Sequence, residues 1–262
     1  MKKVIAFSLW CQGHNKDNRI WCNKDNDKMK YWSGQKPSLY CIGALKNLEL
    51  KKKIFKDWIF RYYVDSSVPQ NILQKLKDNG AEIIDMSDTK IPGMYWRFLA
   101  VDDPNVDICI CRDTDSRLIK RDEDAVNDWI NNSSKTLHNI RDHPHHKYKI
   151  MGGTWGFKNF QKKINLKKLL DIFLKNKNRK YFVRMDDVYF LEKIYELMEN
   201  DVLCHEIGFR GPFKNSRQFP NETFNGNYYH YIGEYFDEND NNPYCERDTK
   251  VFAEFKNIRG KR

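Results

Sequence analysis

The first 120 residues switch repeatedly between two hydrophobic periods. KVIAFSLW (3–10) is a short, nearly continuous apolar run and predicts a buried strand. PSLYCIGALKNLEL (37–50) carries apolar residues at helical spacing, with Pro37 at its start. DWIFRYYVD (57–65), rich in aromatic and β-branched residues, predicts a second strand. VPQNILQKLKDNG (68–80) reads as a helix with Pro69 near its first turn, Ile72, Leu73 and Leu76 on one face, and Gly80 as its stop. AEIIDM (81–86) predicts a short buried strand, MYWRFLAVDD (94–103) a short helix, and VDICICRD (106–113) a further strand. Strands alternating with helices imply a doubly wound α/β fold with a mostly parallel sheet.

The second half is less regular. RDEDAVNDWINN (121–132) predicts an amphipathic helix with Ala125, Val126, Trp129 and Ile130 inward. RDHPHH (141–146) reads as a polar loop whose clustered histidines are solvated or, at that spacing, bind a metal or an anionic acceptor, and KIMGGTWGFKN (149–159) as a glycine-rich turn and strand. NLKKLLDIFLKNK (165–177) and MDDVYFLEKIYELMEN (185–200) predict helices, the second with Val188, Phe190, Leu191, Ile194, Tyr195 and Leu197 as its apolar positions. Short strands and loops are expected from Asp201 onward. Neither a repeat nor a linker interrupts the pattern, so one domain over 1–262 is expected.

Composition narrows the partners. Lys and Arg number 46 against 36 Asp and Glu, a net charge of +10 that suits a soluble surface or an anionic ligand. The basic residues are spread along the chain and form no familiar nucleic-acid motif, so a nucleic-acid partner is not expected. No apolar run reaches the 18 residues of a membrane span. The opening MKKVIAFSLWCQG has too short an apolar run for a signal peptide, and Trp10 and Gln12 stand where small cleavage-site residues belong. Seven cysteines, an odd number with no zinc-ribbon spacing, point to a reducing, cytoplasmic setting.

The chemistry concentrates in VDICICRDTDSRL (106–118). An apolar strand ends in two acids, Asp113 and Asp115, flanked by Arg112 and Arg117. Ligands of doubly wound sheets sit beyond the carboxyl ends of the strands. Two such carboxylates favour a hard cation, Mn²⁺ or Mg²⁺, which would bridge the phosphates of a nucleoside diphosphate. Arg97 and Arg112 add positive charge nearby.

These segments resemble the metal-dependent glycosyltransferases of the GT-A fold, a Rossmann-like mixed sheet whose D-x-D motif ends a strand. YYVDSSVP, MYWRFLAVDDPNVDICICRDTDSRL, DHPHH, IMGGTWGFK, MDDVYFL and YIGEYFD fall in the order found in small enzymes of bacterial surface-glycan clusters and large DNA viruses. The resemblance implies a nucleotide-sugar donor, a UDP-sugar first among them, and a glycan or protein acceptor. It assigns residues 1–120 to donor binding and 121–262 to the acceptor. It makes Asp113 and Asp115 the metal and donor ligands, and Arg97 a diphosphate or sugar contact. Ser8 to Trp10 and Asp65 fall where base and ribose bind. Gly152 and Gly153 would admit a sugar close to the backbone, with Trp155 either stacked on it or buried. Asp186 or Asp187 becomes the acceptor base, although Asp186 also suits a helix N-cap. His205 is the expected third metal ligand.

Three competing chemistries remain at this stage. A sugar-nucleotide nucleotidyltransferase shares the sheet and acid pair but wants a glycine-rich basic loop after the first strand, where SLWCQGHNKDNR has one glycine. A haloacid-dehalogenase-type phosphatase wants Thr or Val where Arg117 stands. A basic nucleic-acid-binding module would use the net charge alone.

Overall fold

A computed structural model describes residues 1–10, 39–161, 163–176, 185–207, 216–221 and 230–259. Cys11, Gln12, Cys22 and Pro37 lie outside the described residues. One eight-stranded sheet runs through the described chain in the order β3-β2-β1-β4-β6-β5-β7-β8. Its strands are β1 (Lys3–Leu9), β2 (Ile59–Val64), β3 (Glu82–Asp85), β4 (Ile108–Cys111), β5 (Leu137–Arg141), β6 (Trp155–Lys158), β7 (Val202–Glu206) and β8 (Ser216–Arg217). Every neighbouring pair is parallel except those made by β6, which runs against both β4 and β5. The α/β class with a mixed, mostly parallel sheet is therefore as the sequence pattern predicts.

Side-chain alternation explains the layers. On β1, Val4 and Ala6 face one way, and Ile5, Phe7 and Leu9 the other. The first face packs beneath the 3₁₀ segment Gly93–Asp102 and helices α4 (Leu166–Lys175) and α5 (Asp186–Met198). The second packs against α1 (Leu39–Leu50), α2 (Gln70–Asp78) and α3 (Lys120–Asn132). A third cluster joins Ile140 and Ile207 to Phe252 and Phe255 of α6 (Cys245–Arg259). Gly80 ends α2 as expected: its φ of +79°, with Gly80 N–H donating to Lys77 O and Ala81 N–H to Leu76 O, is a Schellman stop.

Several local expectations change. β3 is an edge strand with Ile84 exposed, not a buried one. The short helix expected over 94–103 forms as a 3₁₀ helix, Gly93–Asp102. Leu197 is 61% exposed, on the outer side of α5. α6 occupies a stretch expected to hold only strands and loops. Among the described cysteines Cys41, Cys109, Cys111 and Cys204 are buried, and only Cys245 is exposed.

Strand order fixes where a ligand belongs. From β1 the sheet grows outward through β2 and β3, and the chain then returns to place β4 on the other side of β1. The crevice at such a switch point opens at the carboxyl ends of β1 and β4.

Candidate functional site at the carboxyl edge of the sheet

β4 ends at Cys111, and the chain turns at once. Ser116 closes the turn by donating from its N–H and its hydroxyl to Asp113 O, at 3.4 and 2.9 Å. Thr114 and Ser116 are buried while Asp113 and Asp115 are partly exposed, so both acids look out from one side. Helix α1 backs the turn. Asn47 Nδ2 donates to Ser116 O at 2.8 Å, and Leu118 N–H donates to Asn47 Oδ1 at 3.0 Å. Gly43, one helical turn earlier on the same face, lies so close that a Cβ there would stand 1.9 Å from Thr114 O. Neither residue was singled out by sequence. The only signal was an isolated glycine in a helical pattern, four residues before an asparagine. On the far side, Phe236 N–H donates to Asp115 O at 2.8 Å.

Arg97 is the centre of the charge cluster. The guanidinium reaches Asp113 Oδ1 at 2.5 Å and Asp187 Oδ2 at 3.5 Å. Its backbone N–H donates to Ser8 Oγ at 3.0 Å, tying the 3₁₀ segment to the end of β1. Gly152 and Gly153 close over this cluster rather than over an open cleft. A Cβ on Gly152 would meet Asp187 Oδ2 at 2.3 Å, and one on Gly153 would meet Asp113 Oδ2 at 1.9 Å. The glycines thus admit carboxylates to the backbone, and that close approach is what their residue type secures.

Two of these carboxylates, Asp115 and Asp187, are shifted upward. Burial first, and then the charge of Asp113, pushes Asp115 up to about 7. Burial also raises Asp187, with Arg97 opposing and Asp113 reinforcing the shift. Asp187 sits in the first turn of α5, whose N-cap is Met185 at φ +81°. Asp186 is therefore not the cap expected of it. It is the first residue of the helix, buried, and its charge adds to the burial that raises the Tyr95 phenol.

Other expected site residues have different work. Arg112 is turned into the protein, 1% exposed. It donates to Asp122 through Nε and Nη2 at 2.7 and 2.6 Å, and to the carbonyls of Cys111 and Trp155. It cannot contact a donor from there. His205 is fully buried, with Nδ1 2.8 Å from His138 Nε2 and Nε2 3.0 Å from Asp128 Oδ2. Both ring nitrogens are engaged, so it is not a third metal ligand. Trp155 is a core residue. Trp10 packs edge-on to Trp96 and over Gly93. Asp65, at the end of β2, accepts from Ser67 N–H at 3.0 Å. The RDHPHH segment is not a solvated loop: Asp142, His143 and His146 are buried. Arg121 clasps Asp142, and Arg141 Nε donates to His146 O at 2.7 Å.

Among the described residues, no three His, Cys, Asp or Glu side chains converge as a metal cage. Asp113 and Asp115 nevertheless fit a hard divalent cation of the Mg²⁺ type. Such ions bind through one or two carboxylates and complete their shell with water and substrate phosphate. Both acids are partly exposed at one turn, with one Asp113 oxygen on Arg97, so the pair can meet an incoming cation. No helix among the described residues is long and apolar enough to cross a membrane.

No family model matches the chain, and no curated protein matches its sequence. Solved structures do match. The 4-diphosphocytidyl-2C-methyl-D-erythritol synthase of Anaerococcus prevotii is similar at 13% identity and a TM-score of 0.43, over 78% of this chain and 87% of that one. S. aureus TarS 1–349 in complex with UDP-GlcNAc is similar at 14% identity and a TM-score of 0.45, over 87% of this chain and 62% of that one. CMP:2-keto-3-deoxy-manno-octonic acid synthetase complexed with CTP is similar at 11% identity and a TM-score of 0.43, over 98% and 100%. The chain thus spans less than two thirds of the TarS chain. Similarity at this level concerns the course of the chain and assigns no reaction.

Proposed function

We propose that this protein is a metal-dependent, GT-A-type glycosyltransferase that moves a sugar from a nucleotide-sugar donor to a hydroxyl of a glycan or protein acceptor. The observation that carries the reading is the Asp113–Asp115 turn at the carboxyl end of β4, on the switch point of the sheet, with Arg97 and Asp187 beside it. A UDP-sugar is the first donor to test. Residues 1–120 hold it, with Ser8, Trp10 and Asp65 at the ends of β1 and β2 near base and ribose. Residues 121–262 bring the acceptor.

In this reading Asp113 and Asp115 hold Mn²⁺ or Mg²⁺, which supplies positive charge to the departing diphosphate. Arg97 adds a fixed donor to the same oxygens. The acceptor hydroxyl oxygen bonds to the anomeric carbon while the bond from that carbon to the phosphate oxygen breaks. The electron pair leaves on the diphosphate, and the hydroxyl proton passes to Asp187. Burial that raises the Asp187 carboxyl makes it the stronger base of this cluster's acceptor side. Asp186, buried behind it, orients the start of α5.

The test is turnover of UDP-, GDP- and dTDP-sugars with Mn²⁺ and with EDTA, reading both nucleoside diphosphate and pyrophosphate. Metal-dependent release of nucleoside diphosphate, lost in Asp115→Asn, is expected. Pyrophosphate release would move the protein to the nucleotidyltransferases. Tight, salt-sensitive DNA or RNA binding without turnover would refute enzyme action on sugars.

A further inference from the structure

We infer that Arg97 is the resident counter-ion of the ligand-free site. It occupies the cation's place on Asp113 and clamps Asp187 until a donor diphosphate draws it away. The inference rests on the reading above, and deepens it by giving the site an order of events. Arg97 is 6% exposed, and its two terminal nitrogens are divided between carboxylates from different elements, at 2.5 Å on Asp113 and 3.5 Å on Asp187. Gly152 presses on the same junction, since a Cβ there would stand 2.8 Å from Arg97 Nη2. The root of the side chain is fixed at Ser8 and by Cys111 Sγ, which lies 3.6 Å from Arg97 O. The Nε–H is buried and meets no acceptor among the described residues. A buried guanidinium with an unused donor, beside a cluster of carboxylates, is poised for another oxygen ligand.

The charges set the order. Two acids, Asp113 and Asp187, share Arg97, so a divalent cation entering alone must compete with it for Asp113. A diphosphate entering with the cation offers Arg97 new oxygens, and leaves Asp113 to the metal. Departure of Arg97 also frees Asp187 Oδ2 from its ion pair, so the acceptor base is uncovered only when the donor is in place. Lysine cannot reproduce this, because a single ammonium lacks the fork that spans two carboxylates.

The experiment measures Mn²⁺ binding by electron paramagnetic resonance, with Mn²⁺ alone and with Mn²⁺ plus UDP, for wild type, Arg97→Gln and Arg97→Met. Wild type should bind Mn²⁺ weakly alone and more tightly with UDP. Arg97→Gln should bind Mn²⁺ alone at least about tenfold more tightly than wild type, and gain less from UDP. A merely structural arginine would not yield tighter metal binding when removed. If Arg97→Gln fails to fold, Arg97→Met, which also removes the charge, decides by the same criterion. Unchanged or weaker Mn²⁺ binding in the folded variant overturns the inference while leaving the enzyme reading intact, provided wild type binds Mn²⁺ with UDP. A wild type that binds neither Mn²⁺ nor Mn²⁺ with UDP overturns both.

Discussion

Replacing an interior helical glycine by alanine usually adds up to about 1 kcal/mol of stability. At Gly43 the sign should reverse. The new Cβ would stand 1.9 Å from Thr114 O and 3.0 Å from Thr114 C. The obstacle is backbone rather than the tip of a flexible side chain, and Asn47 holds the next part of the turn at Ser116 O. Either α1 withdraws from the sheet or the acid-pair turn shifts outward. Overpacking of this kind costs about 1–3 kcal/mol, so a net loss of up to about 2 kcal/mol is expected after the helical gain. For a chain of this size that lowers Tm by up to about 8 °C. The displaced turn carries Asp113 and Asp115, so Mn²⁺-dependent UDP binding should weaken as well. Differential scanning calorimetry and titration calorimetry read the two effects. Asn47→Ala is the companion: it leaves Leu118 N–H without its partner, at about 1–3 kcal/mol, while Ser116 O keeps Arg117 Nη1 at 3.2 Å. A Gly43→Ala protein that is stabilised, with unchanged binding, would show that α1 does not set the position of the acids.

Four other outcomes are expected. Asp115→Asn should abolish Mn²⁺-dependent UDP binding yet raise Tm, because it removes a half-buried charge whose titration is already pushed to about 7; unchanged binding in calorimetry would refute the metal role. Asp187→Asn should keep donor binding and cut transfer by roughly 10²-fold, and equal losses of binding and turnover would argue against a base. Arg112→Ala should cost about 3–5 kcal/mol in denaturant unfolding by stranding Asp122 in the core; a near-neutral result would refute the buried pair. His146 and His205, pushed down by burial to about 3 and 4, stay neutral in the native state while the unfolded chain protonates near 6.5. The unfolded state then binds more protons, so stability should fall from pH 6.5 towards 4, by about 1–3 kcal/mol for each histidine. A denaturation midpoint that rises over that window would contradict the burial.

The first half of the chain was legible because its strands are apolar throughout and its helices carry clean periods. Ile5, Phe7 and Leu9 need no partner beyond one another and the facing helices, so pattern alone places them. β5 was missed for the opposite reason. LHNIR holds His138 and Asn139, both fully buried; His138 Nε2 and Asn139 Nδ2 are bonded to distant residues, while His138 Nδ1 and Asn139 Oδ1 meet no partner among the described residues. His138 meets His205 and stacks on Trp129 at 4.9 Å, while Asn139 donates to Lys149 O. No local rule reveals such partners. The same holds for α6, whose buried Asp248 accepts from Tyr231, Asn242 and Arg247. It also holds for Arg112: charge next to an acid pair suggests a ligand, and only the fold shows that Asp122 is closer. The acid pair was legible because strand, turn and carboxylates are contiguous. Asn47, Gly43 and the Arg97 bridge were not, since each acts across the sheet.

The one antiparallel strand explains why two glycines are needed at this site. β6 pairs with β4 so that Cys111 faces Trp155, and Ile110 faces Gly156. Continuing that register past the end of β4 sets Arg112 against Thr154 and Asp113 against Gly153. The first acid therefore arrives opposite a residue that has no side chain to resist it, and the contact distance at Gly153 agrees. Gly152, one residue further out, takes Asp187 and Arg97 in the same way. A parallel strand in this place would present its carboxyl end and a connection leading away, not an incoming turn. Reversal of β6 thus brings the backbone of the second half against the acids of the first. A slip of one residue in this pairing would put Thr154 opposite Asp113 and turn every β6 side chain to the other face. Trp155 and Phe157, buried between β6 and the helices above it, hold the register against that slip.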